Sequence, residues 1–362
     1  MPRKTLSAAT EILHDYFAIK GGGEKLVLTL AQQLDLPITG GFVDKDNSFE
    51  QFSQLKLQSL NAHQYFMPLQ LLSLIQRWSQ YQPTAQQGFY SGVYAPLAIN
   101  NSYAQHNVLY CHTPPRFIYD QKDYFLNQTT PLLRPLLRQF IHYFQPLYEN
   151  ALAQMDTVIT NSKHVQHRLK KYLNTDSKVI YPPCDTQGFR YLGQSDYYLS
   201  TARLDGLKRV DSIIKAFLQM PDKKLVVTSG GVQAKKMRQL ADGADNIHFT
   251  GWINDQQLKR WVGESIATLY LPRNEDFGIS PVESMAAGKP VIGANEGGLI
   301  ETIRHNETGL LLESTHLVDN IIQAVHQLDK QTAQGLRSNC ERQAQQFTSE
   351  LFIQHIEQHL IT

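Results

Sequence analysis

The sequence predicts an α/β protein built as two doubly wound domains. Three observations carry this prediction. Short apolar runs of strand type alternate with segments of helical spacing through most of the chain, the alternation forms two series divided near Pro182-Pro183, and 362 residues exceed what a single core usually organises.

The first series opens on TEILHDYF, residues 10–17, read as a strand, and continues into the run Gly21, Gly22 and Gly23, read as a loop. EKLVLTLAQQL then spaces Leu26, Leu30 and Leu34 as a helix does. Further strands are expected at NVLYCH (107–112), DTVITNS (156–162) and KVIYPP (178–183). After YPPCD the rhythm restarts. DYYLSTARL, KKLVVTSGG, NIHFTGW and PVIGA read as strands, with VDSIIKAFLQM and AKKMRQLAD as helices among them. Such alternation means parallel sheets covered by helices, with ligands expected in a cleft between two domains, residues 1–184 and 185–345. The last segment, SELFIQHIEQHLIT, places Leu351, Ile353, Ile356 and Leu360 near one helical face.

Charge is balanced, with 34 Lys plus Arg against 33 Asp plus Glu, which provides no global field for gathering nucleic acid. Any anion must then be held by local groups. Cys111, Cys184 and Cys340 are odd in number and far apart, suggesting neither a disulfide framework nor a zinc pattern and fitting a reducing compartment. The start, MPRKTLSAATEILHDYFAIK, carries early positive charge but no leader-length apolar core, and no apolar run is long enough to span a bilayer. The expected location is the cytoplasm, with peripheral contact at the inner face of the membrane left open. LLRPLLRQFIHYFQPLY, residues 132–148, offers either an interfacial surface or a core-facing helix with a basic edge formed by Arg134, Arg138 and His142; Pro135 argues against one continuous helix.

The chemistry concentrates in NEDFGISPVESMAAGKPVI, residues 274–292. Ser280 at N-cap, Pro281 at the first helical position and Glu283 three residues after the cap predict a capped helix worth ~1 kcal/mol of local stability, which Gly288 then ends. A helix start also presents unpaired N–H groups and a positive dipole end to an anion, and Gly278 lets a ligand approach the main chain. Cap and ligand contact both remain open for Glu283.

EDFGISPVE followed by SMAAGKPVIGANEGGLIETI resembles the signature of family 4 of the retaining glycosyltransferases, which have GT-B architecture. HDYFAIKGGGEKL, NVLYCHTPPRFIYD, VITNSKHVQHRL, VIYPPCDT, YYLSTARLDGLKRVDSIIKAF and FTGWI are similar to further segments of that family, in order. HTPPR looks most like bacterial mannosyltransferases that use GDP-mannose to build surface polysaccharides. The resemblance implies two Rossmann-like domains facing a central cleft, with the C-terminal helix, about 346–362, packed back on the first domain.

It further implies Glu275 at the donor-sugar hydroxyls, Glu283 at the nucleotide ribose, and the backbone of Phe277, Gly278 and Ile279 at the diphosphate or sugar. Arg203 and Lys208 match the family's basic pair, suited to the charge that grows on a leaving diphosphate, and His112 matches its active-site histidine. Gly22 and Gly23 would approach donor phosphate and acceptor, and the loop NEGG, 295–298, would border the sugar. Gly251 and Trp252, in FTGWI, would lie beside the base. The implied reaction is retaining transfer of a hexose from a nucleotide sugar to a glycan or lipid-linked acceptor, with no metal or cofactor and with domain closure bringing His112 onto the donor. A UDP-sugar donor is the alternative within this class. A glycosidase would leave Arg203 and Lys208 without a role, a non-catalytic sugar-binding protein is the rival from another class, and a dehydrogenase lacks its dinucleotide fingerprint.

Overall fold

A computed structural model describes residues 10–360. The basic start, residues 1–9, inspected above for a leader, lies outside the described residues, as do the last two residues of the C-terminal segment. The chain divides into two units, Met1–Pro183 with Glu350–Thr362 and Cys184–Ser349.

In the first unit a seven-stranded sheet has the order β3-β2-β1-β4-β5-β6-β7. Its strands are β1 (Thr10–His14), β2 (Ile38–Gly40), β3 (Leu57–Ser59), β4 (Gln87–Ser91), β5 (His106–Cys111), β6 (Thr157–Thr160) and β7 (Lys178–Val179). Every pairing is parallel. The order reverses between β1 and β4, so the end of β1 opens beside the end of β4, with His14 in register with Ser91. One face packs against Trp78, Phe144 and Tyr148. The other covers Leu26, Leu30 and Leu34 of the helix Gly22–Leu34 together with Phe352, Ile353, Ile356 and Leu360 of the helix Ser349–Leu360.

The second unit repeats the plan with β8 (Tyr198–Ser200), β9 (Leu225–Val227), β10 (Ile247–Phe249), β11 (Thr268–Tyr270), β12 (Val291–Ala294) and β13 (Gly309–Leu312), in the parallel order β10-β9-β8-β11-β12-β13. Here the reversal lies between β8 and β11.

Four local expectations are corrected. The strand expected over residues 10–17 stops at His14, because the Asp15 carboxylate turns away to accept the N–H groups of Val93, Tyr94 and Ala95 at 2.6, 2.6 and 2.7 Å. Gly22 and Gly23 are not loop: they form the first turn of the helix Gly22–Leu34, with Gly21 at its N-cap. Pro135 does not interrupt the helix Arg134–Ala153 but lies in its first turn, where a missing N–H is no loss; the interior proline is Pro146.

The fourth correction concerns the helix after Glu275. It spans Ile279–Ala286 with Gly278, at φ 95°, as N-cap and no side-chain cap. Ser280 and Pro281 are its second and third residues, so the Ser280–Glu283 capping box does not form. Pro281 falls among the first four N–H positions, which need no intrahelical partner, and the left-handed glycine lets the helix start earlier. Its other end follows the sequence expectation. Gly288 takes φ 67°, Gly288 N–H donates to Met285 and Lys289 N–H to Ser284, closing a Schellman motif.

Candidate active site

In the second unit, every site residue proposed from sequence lies in a segment following the carboxyl end of a parallel strand. Arg203 and Lys208 follow β8, Gly251 and Trp252 follow β10, Glu275 through Glu283 follow β11, and the NEGG loop follows β12. The polar centre sits at the β8–β11 reversal. Lys208 Nζ lies 2.7 Å from Glu275 Oε2 and donates to the Tyr270 hydroxyl at 3.3 Å, while Tyr270 donates to Glu275 Oε1 at 3.2 Å. Burial works against the Lys208 charge, but the Glu275 carboxylate and the hydrogen bonds to Glu275 and Tyr270 outweigh it and hold its pKa above the ordinary lysine value. Burial and then the Glu275 carboxylate push the Tyr270 phenol up, so this group stays protonated and able to donate.

A second ion pair lies beside the first. Arg209 reaches Glu296 at 2.6 Å, so consecutive cations tie the loop after β8 to the loops after β11 and β12. Two glycines then let those acidic loops meet. A side chain at Gly297 would place its Cβ 2.5 Å from the Glu275 carbonyl oxygen, and one at Gly298 would fall 2.4 Å from that of Asp276. Gly298 N–H donates to Glu275 O at 2.7 Å, which fixes the main chain carrying the carboxylate.

The remaining expected residues are placed less uniformly. Arg203 is exposed and makes no ion pair among the described residues, so its guanidinium is available to an anion. Phe277 is buried edge-on against Phe347. Ile279 opens the helix and Glu283 lies on its second turn, half-buried. Gly251 has φ 73° with open space around it, and Trp252 is 69% exposed with its indole over Gly230.

In the first unit His112 follows β5 and joins a chain of three side chains. Ser91 Oγ lies 2.8 Å from His112 Nε2 and 3.0 Å from His14 Nδ1. Burial first, then the neighbouring His112, press the His14 pKa down to about 3, so His14 is uncharged at neutral pH. Gly23 packs over both rings: its Cβ would meet His112 Nε2 at 3.4 Å and His14 Cε1 at 3.7 Å. Gly22 is exposed at the start of the same helix. Burial also raises Glu24, in this helix's first turn, to about 7.

Sequence reasoning missed Tyr270, Arg209 and Glu296 in the second unit and His14 and Ser91 in the first. Ser91 and Tyr270 were hidden because each ends a strand that the sequence reading did not mark. Each is the last residue of the fourth strand in its series, and in a doubly wound sheet that strand's end lies beside the end of the first.

Two Rossmann-like parallel-sheet units, the second with an acid, a base and a helix start gathered at its reversal, have the architecture of GT-B glycosyltransferases. Residues 191–347 match the family model described as Glycosyl transferases group 1. Among curated proteins the chain is similar to the alpha-1,3/1,6-mannosyltransferase ALG2 of Mus musculus, 25% identical over 290 residues, which span 70% of this chain and 67% of that protein. ALG2 of Saccharomyces cerevisiae is 30% identical over 257 residues, 56% of this chain and 48% of that one. A GDP-mannose-dependent alpha-(1-6)-phosphatidylinositol monomannoside mannosyltransferase of Mycobacterium tuberculosis is 30% identical over 215 residues, covering 50% and 55%. The matches thus span about half to two thirds of these relatives' lengths. Among solved structures, Anabaena HepE in complex with UDP-glucose superposes with a TM-score of 0.72 at 18% identity, covering 98% of this chain and 99% of that one. Sucrose-phosphate synthase of Thermosynechococcus elongatus gives 0.75 at 17%, covering 97% and 98%.

Proposed function

We propose that the protein transfers mannose from GDP-mannose, with retention at the anomeric carbon, to a hydroxyl of a glycan or lipid-linked acceptor in the synthesis of cell-surface polysaccharide. The observation that carries this reading is the Lys208–Tyr270–Glu275 cluster at the β8–β11 reversal, with Arg203 exposed after the same strand as Lys208. The printed activities of the mannosyltransferase relatives support mannose, and one of them is named for its dependence on GDP-mannose.

In this reading Arg203, Lys208 and the N–H groups opening the helix Ile279–Ala286 neutralise the donor diphosphate. Lys208 is shared between the diphosphate and Glu275. Glu275 orients the sugar hydroxyls and supports positive charge developing at C1, without attacking it. The bond from C1 to the diphosphate oxygen breaks as the acceptor oxygen bonds C1 on the same face, and the acceptor's proton passes to the departing phosphate oxygen. Glu283 holds the ribose, His112 hydrogen-bonds the donor sugar, and Gly22 and Gly23 allow phosphate and acceptor to approach. Gly251 and Trp252 flank the base. These cationic groups supply the neutralisation a divalent metal would otherwise provide, so transfer without added metal is part of the proposal.

No helix among the described residues is long and apolar enough to cross a membrane. The helix Arg134–Ala153 and the turn before it expose Leu132, Leu133, Leu136 and Tyr143, with Leu132 93% exposed, and present Arg134 and Arg138 among them. Apolar and basic groups together suit peripheral contact with an anionic inner leaflet, which is the proposed location.

A panel of nucleotide sugars tests the donor, read as thermal stabilisation and slow donor hydrolysis in chelator. GDP-mannose should give the largest shift and the fastest hydrolysis. Preference for a UDP-sugar would overturn the donor assignment, loss of turnover in chelator the metal-free part, and release of sugar from an oligosaccharide without nucleotide the whole class.

A further inference from the structure

The histidine expected at the donor sugar does not stand alone, and its two partners come from strands that the topology makes neighbours. β1 and β4 pair in parallel with His14 opposite Ser91, and β4 and β5 pair with Ser91 opposite Tyr110, two residues before His112. The three side chains therefore converge at the strand ends by sheet register, with Ser91 fully buried and His14 5% exposed. Around them the fit is close. Asn161 Nδ2 donates to the His112 carbonyl at 2.8 Å, the Tyr110 ring lies 5.1 Å from that of His112, and Gly23 brings the helix start against both imidazoles.

Ser91 has a single hydroxyl proton and faces two ring nitrogens, at 2.8 and 3.0 Å. It can donate to only one of them, so the other ring must donate to it for both contacts to be hydrogen bonds. The two tautomers are thereby linked: at least one of the facing nitrogens must carry a proton, and if both did they would take both lone pairs of Ser91 and leave its buried hydroxyl proton unused, so one protonated and one bare nitrogen is the favoured arrangement. Since neutral imidazole carries its proton on one nitrogen, the choice at Nε2 also decides the state of His112 Nδ1.

We propose that Ser91, with His14 behind it, is the positioning device for His112, fixing both the ring orientation and the tautomer that His112 offers to the donor sugar. The proposal rests on the reading of His112 given above. Ser91 and His14 touch no substrate in it; they act through His112. His14 suits the task because burial keeps it uncharged, so it supplies a hydrogen bond without placing a positive charge beside His112.

The first measurement is made on the wild-type protein, by nitrogen NMR of 15N-labelled histidine. His14 and His112 should each show a single tautomer, and the same one, both Nε2–H or both Nδ1–H; opposite tautomers, or rings that both average between tautomers, would overturn the proposal. In Ser91→Ala, His112 should become a tautomer mixture and kcat should fall about 10- to 100-fold, while the donor KM moves less than about 3-fold, since orientation is lost but the donor's own contacts are kept. Wild-type kcat with an unchanged His112 tautomer in Ser91→Ala would overturn it. If Ser91→Ala does not fold, the wild-type tautomers decide. His112→Ala separates the two layers: full activity in that variant removes His112 from the reaction and the proposal with it, whereas an inactive His112→Ala beside a normal Ser91→Ala sinks the positioning role alone.

Discussion

Glu275 and Lys208 hold each other at 2.7 Å, and Tyr270 bonds both. Each partner is preorganised by the other two, so removing one disturbs orientation as well as charge. Glu275→Gln keeps shape and loses charge; transfer should fall by roughly 100-fold or more with the melting temperature nearly unchanged, as read from initial rates and thermal melts on the same preparation. Tyr270→Phe removes only the hydroxyl and should cost about 10-fold in kcat/KM, a loss of one or two hydrogen bonds. Titration offers a separate check at residue scale. Glu24 rises from 4.5 to about 7 on folding, so the folded chain binds its proton more tightly, and the stability linked to it is full below pH 4.5 and falls as pH rises to 7. His14 drops from 6.5 to about 3, so its contribution is full above pH 6.5 and is lost as pH falls toward 3. Glu24→Gln should therefore stabilise the protein at pH 8, by on the order of 2–3 kcal/mol in urea unfolding, with little gain at pH 4.5. An equal gain at both pH values would contradict the assigned burial cost.

At the scale of elements, the acidic loops meet only because glycine stands at 297 and 298. Gly297→Ala sets a Cβ against the Glu275 carbonyl at a φ of 67° that side chains disfavour, so the loop must shift and carry Glu275 with it. Activity should fall at least ~10-fold while the core of the unit stays folded, measured as kcat/KM beside far-UV circular dichroism. The helix Ile279–Ala286 shows how far local chemistry reads. Gly288 marked its end correctly, because a left-handed residue is needed there whatever surrounds it. Ser280 and Glu283 suggested a start that the chain does not use, since Gly278 can adopt φ 95° and begin the helix two residues earlier. Strands β4 and β11 went unmarked. Thr268–Tyr270 and QGFYS were passed over in the sequence, although Tyr198–Ser200 and Leu225–Val227, no longer than these, lie in segments read as strands.

For the molecule as a whole, the helix Ser349–Leu360 comes last in sequence yet belongs to the first unit, where Ile356 is fully buried beside Leu26 and Leu30. Ile356→Ala should cost about 2–5 kcal/mol and lower hydrogen-exchange protection across β1 to β7, leaving β8 to β13 protected as before. Equal loss in both units would show that they do not unfold separately. The sequence by itself determined the alternating architecture, the break near Pro182-Pro183 and the candidate residues Glu275, Lys208, Arg203 and His112, because periodicity, proline punctuation and short motifs are local properties. Only the tertiary structure decided which groups those residues meet. Tyr270 against Lys208, Arg209 against Glu296, and Ser91 between His14 and His112 are contacts across strands that parallel order brings together from 21 to 87 residues apart. Strand order is fixed by how crossover helices pack on a sheet, and no short window of sequence records that packing.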